Sequence, residues 1–350
     1  MIRCSRCIMP DTRPDTPFID GVCAACIAYD KRKKIDWDER KKELCRILET
    51  APKNGGGYDC IVPSSGGKDS HYQVLTLLDL GATPLVVTAT TCHLTEIGRA
   101  NIDNLSRYAT TIEVSPNKNV RAKLNRLGLE MVGDISWPEH VSIFTTPFKI
   151  ACDIGVPLIF YGENPQNQYG GPHGTEQAKE MTRRWVSEFG GFLGLRPSDL
   201  VGVEGITQQD MQDYMPPSTA QIATIGVTAY FLGQFLPWDS YENARMAIKA
   251  GMKFQMPSGA NWWPWENLDN AQTGIHDFLM WRKYRYSRAT AQLSVDVRSG
   301  KMSRDVALAY ADALEDYFPV TYCSINVEEM LAMIGVTRRQ LMAIADKFSC

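Results

Sequence analysis

Between residues 58 and 167 the chain alternates two textures. Short runs rich in apolar and β-branched residues occur at Asp59-Cys60-Ile61-Val62-Pro63, Pro84 to Thr90, Thr110 to Val114 and Val156 to Gly162. Segments with apolar residues at helical spacing lie between them. A run without polar alternation is buried on both faces, which is the signature of a parallel sheet covered by helices on each side. The intervening periodicity predicts helices over His71 to Leu80, with Gly81 as C-cap, and over about Thr95 to Tyr108, Asn119 to Met131 and Glu139 to Ile154. The fold class is therefore α/β. In such sheets ligands lie off the carboxyl ends of the strands, so Ser64 to Ser70, Thr88 to Thr91 and Gly162-Glu163-Asn164 are expected to converge.

Outside this stretch the pattern changes. Residues 28–50 are charged and helical in character, and Lys53 to Gly57 reads as a linker. Beyond Gly162, Glu163-Asn164-Pro165-Gln166-Asn167-Gln168-Tyr169-Gly170-Gly171 is polar and glycine-rich. Helices are predicted over about Glu176 to Phe189 and Thr219 to Leu232, then over Asp277 to Ser287, Ser303 to Asp316, Val327 to Ile334 and Arg338 to Phe348. The last two, joined by Gly335-Val336-Thr337, superficially resemble a helix-turn-helix. Met330, Leu331, Ile334, Leu341 and Ile344 suffice to explain them as packed helices. The organisation expected is an N-terminal region (1–50), a nucleotide domain (51–170) and an α-rich region (171–350).

The chemistry concentrates at Ser65-Gly66-Gly67-Lys68-Asp69-Ser70, directly after the first apolar run. A strand, two adjacent glycines and a helix start gather backbone N–H groups and the positive end of a helix dipole at one point. Lys68 adds a charge there, and Ser65 and Ser70 add hydroxyls, which makes an anion cradle suited to phosphate. It is not a Walker A loop, since Val62 and Asp69 occupy the positions that pattern reserves for Gly and Ser/Thr. No G-x-G-x-x-G is present either.

Composition narrows the remaining choices. The chain has 37 basic and 40 acidic residues, so nothing in its charge argues for nucleic acid. No apolar stretch approaches a membrane span and the start is not signal-like, which predicts a cytoplasmic protein with no membrane partner. Of ten cysteines, four form Cys4-x2-Cys7 and Cys23-x2-Cys26. Two such knuckles supply four thiolates to one ion and leave no open position, so a structural Zn²⁺ site is expected. A redox C-x-x-C and a nucleic-acid knuckle are the competing readings. Asn261-Trp262-Trp263-Pro264-Trp265-Glu266-Asn267 places aromatic faces beside amides and suits a sugar ring, although an aromatic core corner has the same composition.

Taken in order, these motifs resemble the PP-loop ATP pyrophosphatases, whose S-G-G-x-D-S loop matches residues 65–70. Within that superfamily the chain resembles the N-acetyl sugar amidotransferases of bacterial surface-polysaccharide and flagellin-sugar biosynthesis. The resemblance rests on Gly21-Val22-Cys23 in the double knuckle, on Ser65 to Ser70, and on Tyr161-Gly162-Glu163-Asn164 with Tyr169-Gly170-Gly171. It continues through Pro237-Trp238-Asp239-Ser240 and Glu266-Asn267-Leu268-Asp269-Asn270-Ala271-Gln272-Thr273-Gly274-Ile275-His276-Asp277.

The resemblance implies a PP-loop fold and an ATP- and Mg²⁺-dependent reaction that converts an acetamido sugar to an acetamidino sugar in LPS O-antigen or related glycan synthesis. Ammonia would come from a separate glutaminase partner. ATP would lie on Ser65, Gly66, Gly67, Lys68, Asp69, Ser70 and Gly162, with adenine on backbone groups of Val87, Thr88 and Ala89. Lys68 would hold pyrophosphate, Asp69 the Mg²⁺, and Glu163 would orient or deprotonate ammonia. Asn164, Tyr169, Asn261, Trp265, Glu266, Asn267, His276 and Asp277 are the candidate sugar contacts. Arg282, Lys283, Arg285 and Arg288 either meet acidic groups on the substrate or form a solvated face.

An amide carbonyl is a poor electrophile, and adenylylating its oxygen creates a leaving group that ammonia can displace. The protein then contributes positioning and charge. The chain begins Met1-Ile2-Arg3, and neither Cys152 nor Cys323 lies in a glycine-flanked elbow, so no glutaminase nucleophile is expected here. The rival readings are a tRNA-thiolating enzyme, which shares the loop and the knuckle, and a non-catalytic nucleotide-binding scaffold.

Overall fold

The computed structural model describes residues 1–53 and 56–350. Two residues of the expected linker Lys53–Gly57, numbers 54 and 55, lie outside the described residues. The centre is a five-stranded parallel sheet formed by β1 (Cys60–Pro63), β2 (Pro84–Ala89), β3 (Thr111–Val114), β4 (Leu158–Tyr161) and β5 (Thr228–Phe231), in the order β3-β2-β1-β4-β5. The strand order reverses between β1 and β4, and a crevice opens at such a point outside the carboxyl ends.

Both faces of the sheet are buried. Cys60, Val62, Val86, Leu158 and Phe160 point into one layer with Leu44, Leu48, Val74, Leu77 and Leu105. Ile61, Leu85, Val87, Ile159, Tyr161, Ala229 and Phe231 point into the other, with Ala151, Met181 and Trp185. The continuous apolar runs are thus explained by alternation into two cores. The covering helices are α1 (Lys68–Asp79), α2 (Glu96–Leu105), α3 (Lys118–Val132) and α4 (Trp137–Ile154). Helix α4 ends at Gly155 in the left-handed region.

Two expectations are corrected. Residues 219–232 are not one helix: the helix stops at Ile225 with Gly226 at φ 74°, and Thr228–Phe231 becomes the edge strand β5, hydrogen-bonded to β4. The sheet therefore continues past residue 170. The helix after the glycine loop begins at Lys68 rather than His71, so Lys68, Asp69 and Ser70 form its first turn.

Sequence periodicity also missed α5 (Ser240–Lys249), capped by the Asp239 carboxylate, which packs along α1. Two further helices, α6 (Thr273–Tyr284) and α7 (Arg288–Arg298), carry the C-terminal part. Met330, Leu331, Ile334 and Leu341 of the terminal helix pair are buried against Ile275, Phe278 and Leu279 of α6. Among the described residues, no helix is long and apolar enough to cross a membrane.

Candidate active site

The glycine loop is held by its own side chains. The Gly66 N–H donates to Ser64 Oγ (3.0 Å) and the Ser65 N–H to Ser70 Oγ (3.3 Å). His71 Nδ1 meets the Gly67 carbonyl at 3.0 Å while its Nε2 faces Asn104 Nδ2 at 3.0 Å, a pairing that puts the ring proton on Nδ1. No side chain caps the N-terminus of α1 at Gly67, so its first N–H groups remain available to an anion. Gly66 has φ +79°, and a β-carbon there would lie 2.8 Å from the Ile102 nitrogen of α2. Gly66→Ala should therefore cost roughly 1–3 kcal/mol of stability and loosen the cradle. A denaturation midpoint unchanged from wild type would show that the loop tolerates the β-carbon.

Lys68 is almost wholly buried. Its ammonium contacts Asp69 Oδ2 at 2.6 Å and Glu266 Oε1 at 2.5 Å. Burial alone would lower its pKa, but the charges of Asp69, Glu266 and Glu163 outweigh that and hold it well above the ordinary lysine range. Asn243 of α5 donates to Asp69 Oδ1 at 2.9 Å. Burial and repulsion from Asp69 and Glu266 push the Glu163 carboxyl up to about 8, despite the attraction of Lys68. Burial, with Glu266 nearby, pushes Asp269 up to about 6.

Segment 265–271 reaches the loop because it is laid along the chain that follows β2. The Thr95 N–H donates to the Asp269 carbonyl (3.1 Å) and the Ala271 N–H to that of His93 (3.0 Å), and Thr95 Oγ1 bonds the Leu268 carbonyl. Gly98 of α2 permits this approach, since a β-carbon there would lie 2.5 Å from the Asp269 Cα. Asp69 and Glu266 thus contact one ammonium that Glu163 also attracts, and Asp269 lines the same pocket. Such an excess of carboxylate at a phosphate cradle fits a divalent cation, which Asp69 and its neighbours would hold between themselves and a nucleotide phosphate. Asp269, Asn243 and His71 were not recognised from sequence. Asp269 lay within a quoted motif, but only folding shows which of its residues faces the loop.

Two cavities meet at Asp69. The larger, about 290 Å³, is lined by Ser65, Asp69 and Ser70, by Val87, Ala89 and Thr91, and by Gly162 and Glu163. Gln73 and the buried Glu139 complete its polar wall, with apolar Phe144, Met181 and Trp185 opposite. The smaller, about 90 Å³, lies between residues 65–70 and Trp265, Glu266, Asn267 and Asp269. The three strand-end stretches therefore converge. Thr88 itself lies outside both linings, with its hydroxyl buried and unpartnered.

The other sequence candidates divide. Trp265 and Asn267 face the smaller cavity, and the buried Trp265 Nε1 has no partner. The tryptophan wall is otherwise core. Trp262 and Trp263 both donate Nε1 to Asp296 Oδ2 (3.0 and 3.2 Å) and their backbone N–H groups to Gln292. Asn261 is buried and braces Tyr322 Oη at 2.7 Å. Asn164 caps the short helix Pro165–Gln168 and donates to the Thr175 carbonyl. Tyr169 packs against the N-terminal cluster and lies close enough to Glu163 and Glu266 that burial and their charge raise its pKa well above normal.

His276 and Asp277 line neither cavity; Asp277 is buried and paired with Arg288 at 2.8 Å. The basic helix face is also engaged, with Arg282 on Asp346, Lys283 on the Val132 carbonyl and Arg285 on the terminal Cys350 carbonyl.

Cys4, Cys7, Cys23 and Cys26 are fully buried, and their Sγ atoms lie within 4.8 Å of one another. The Arg6 and Cys23 N–H groups point at Cys4 Sγ (3.4 and 3.3 Å), and that of Met9 at Cys7 Sγ (3.5 Å). The half-buried Arg298 lies beside the cluster; its Nη1 donates to the Gln168 carbonyl while the buried Nε and Nη2 lack an oxygen partner. Four thiolates around Zn²⁺ carry excess negative charge, and this guanidinium compensates it, so the donor set and its surroundings fit the ion. The cluster packs on Tyr169, Tyr286 and Ala291, which makes it a clamp between the N-terminus and the segment after Glu163.

Residues 252–349 match the family model described as "LPS biosynthesis protein WbpG-like, C-terminal domain". This stretch contains Trp265, Glu266, Asp269, His276 and Asp277. No curated protein matches the chain. Among solved structures, NMN synthetase from Francisella tularensis is 12% identical over 64% of this chain and 99% of its own, with a TM-score of 0.29. That superposition is too loose to define the fold, which rests on the strand order.

Proposed function

We propose that this chain is an ATP-dependent, AMP- and pyrophosphate-forming amidotransferase. It would activate the acetamido oxygen of an N-acetylated, nucleotide-linked sugar and replace it with ammonia, giving an acetamidino sugar for LPS O-antigen or a related glycan. The observation that carries this reading is buried Lys68 held by Asp69 and Glu266 at the sheet's switch point, with Glu163 and Asp269 lining the cavities that meet there. The C-terminal match to an LPS biosynthesis domain supports a glycan substrate.

ATP supplies the adenylyl group that turns the amide oxygen into a leaving group. The chain's own residues bind and orient. Lys68 and the free N–H groups of α1 neutralise phosphate charge, and Val87 and Ala89 line the larger cavity where adenine would lie. Trp265 and Asn267 face the smaller cavity from the sugar side. Glu163 would accept a proton from ammonia after attack. Its carboxyl, pushed up to about 8 by burial and by Asp69, becomes a base only as pH rises through that value.

A glutaminase partner would supply ammonia. A groove of about 500 Å³ between Val186, Phe192, Met215 and Ile222 shares Phe144 and Met181 with the lining of the larger cavity. The purified chain should use ammonium salts, with a rate that climbs between about pH 7 and 9 as free NH3 and ionised Glu163 both increase. Glutamine alone should give nothing. Mass spectrometry of nucleotide diacetamido-sugars incubated with ATP and ammonium tests the reading. Product from glutamine in the absence of a partner would overturn the division of labour. Sulfur transfer to tRNA without ammonium dependence would replace the reaction itself.

A further inference from the structure

We propose a second metal site, formed by Asp134, His140 and His276, that binds a divalent transition-metal ion of the Zn²⁺ class and leaves open positions to solvent. Three parts of the chain meet here: the turn after α3, the first turn of α4 and the first turn of α6. One ligand atom from each residue lies within 4.8 Å of the other two. Asp134 is buried, and its Oδ1 is committed to the Ser136 N–H at 2.9 Å, which leaves Oδ2 facing the histidines. His140 Nδ1 lies 3.0 Å from that oxygen. The two atoms are nonetheless not aligned for a hydrogen bond, and the buried nitrogen has no other partner. A proton between them would be poorly placed, whereas an ion in the angle between their lone pairs would contact both.

His276 adds the feature that distinguishes a ligand from an ordinary polar cluster. Its Nδ1 meets Asp277 Oδ1 at 3.1 Å, and Asp277 is itself locked by Arg288 through contacts of 2.8 to 3.2 Å. A carboxylate on one imidazole nitrogen fixes the tautomer and presents the other nitrogen as a donor, which is the outer shell that metal-binding histidines require. The two rings meet edge to face at 5.5 Å. Two imidazole nitrogens and one carboxylate oxygen suit Zn²⁺, Co²⁺ or Fe²⁺ over Mg²⁺ or Ca²⁺. The histidine side chains are 27% and 25% exposed, so water can complete the coordination. The ion would join α4, whose neighbouring Glu139 lines the larger cavity, to the helix that follows Asp269. The site stands independently of the reaction proposed above.

The test uses the full chain, stripped with chelator and titrated with Co²⁺ while visible absorption is recorded. The wild type should bind about two ions per chain in two spectral classes, one with intense sulfur-to-metal charge transfer and one with weak nitrogen/oxygen bands alone. His140→Gln and His276→Gln should each remove the second class, weakening it about 100-fold or more, and keep the first. A wild type with the thiolate class only, or a second class unchanged in both variants, overturns the proposal. Circular dichroism establishes that the variants are folded. Should they not be, the wild-type stoichiometry and spectra decide alone.

Discussion

Asp69→Asn is expected to reduce pyrophosphate release at least about 100-fold while the protein still folds. The carboxylate has two connections in the structure: Oδ2 contacts Lys68 Nζ at 2.6 Å and Oδ1 accepts from Asn243 Nδ2 at 2.9 Å. An asparagine oxygen can retain one of them, and Lys68 keeps Glu266 at 2.5 Å, so the buried ammonium is not left alone. What the substitution removes is a hard, charged oxygen at a place crowded with phosphate, where a neutral amide is a weak Mg²⁺ ligand. Steady-state pyrophosphate assays with saturating Mg²⁺ and a melting curve for each protein check both halves. Turnover within about threefold of wild type would remove Asp69 from the essential ligands and shift that role to Glu266 or Asp269.

The second large effect concerns the cysteine cluster. Removing zinc, or making Cys4→Ser, should lower thermal stability by several kcal/mol, which for a chain of this size is a fall in Tm of roughly 5–10 °C. The reason lies in the packing around the four thiols. Arg304 Nε donates to the carbonyls of Cys4 and Cys7 at 3.2 and 3.0 Å, and Arg298 lies beside the sulfurs. Loss of the ion leaves those guanidinium groups and the thiols to repack together. Because Tyr169 leans on the same cluster, turnover should fall as the segment after Glu163 loosens, while nucleotide affinity stays within a few-fold. Elemental analysis with differential scanning fluorimetry measures it. Protein without zinc but with an unchanged Tm would refute a structural ion there.

Several assignments show how far local pattern carries. The runs at β1, β2 and β4 are legible because burial on both faces imposes a one-dimensional signal, whereas β3 is a partly exposed edge strand marked by its β-branched residues. The fifth strand is lost within an apolar stretch that reads equally well as helix, and only pairing of Thr228–Phe231 with β4 settles it. The tryptophan segment shows the same limit in side chains. Three indoles within four residues look equivalent in sequence, yet Trp262 and Trp263 are tied to Asp296 while Trp265 lines a cavity.

From the sequence alone came the α/β class, the glycine loop carrying Lys68 and Asp69, and the four-cysteine cluster. Each is encoded by neighbours: a period, a turn residue or a ligand spacing acts over a few positions and needs no partner elsewhere. The tertiary structure decided the rest. It brought Glu266 onto Lys68 with Glu163 and Asp269 lining the adjoining cavities, set Asn243 on Asp69, turned Asn261 into a brace, and placed His276 beside Asp134 and His140. Those placements depend on contacts between residues 61 or more positions apart. They arise from how α5, α6 and segment 265–271 dock on the sheet, and no short window of sequence carries that geometry.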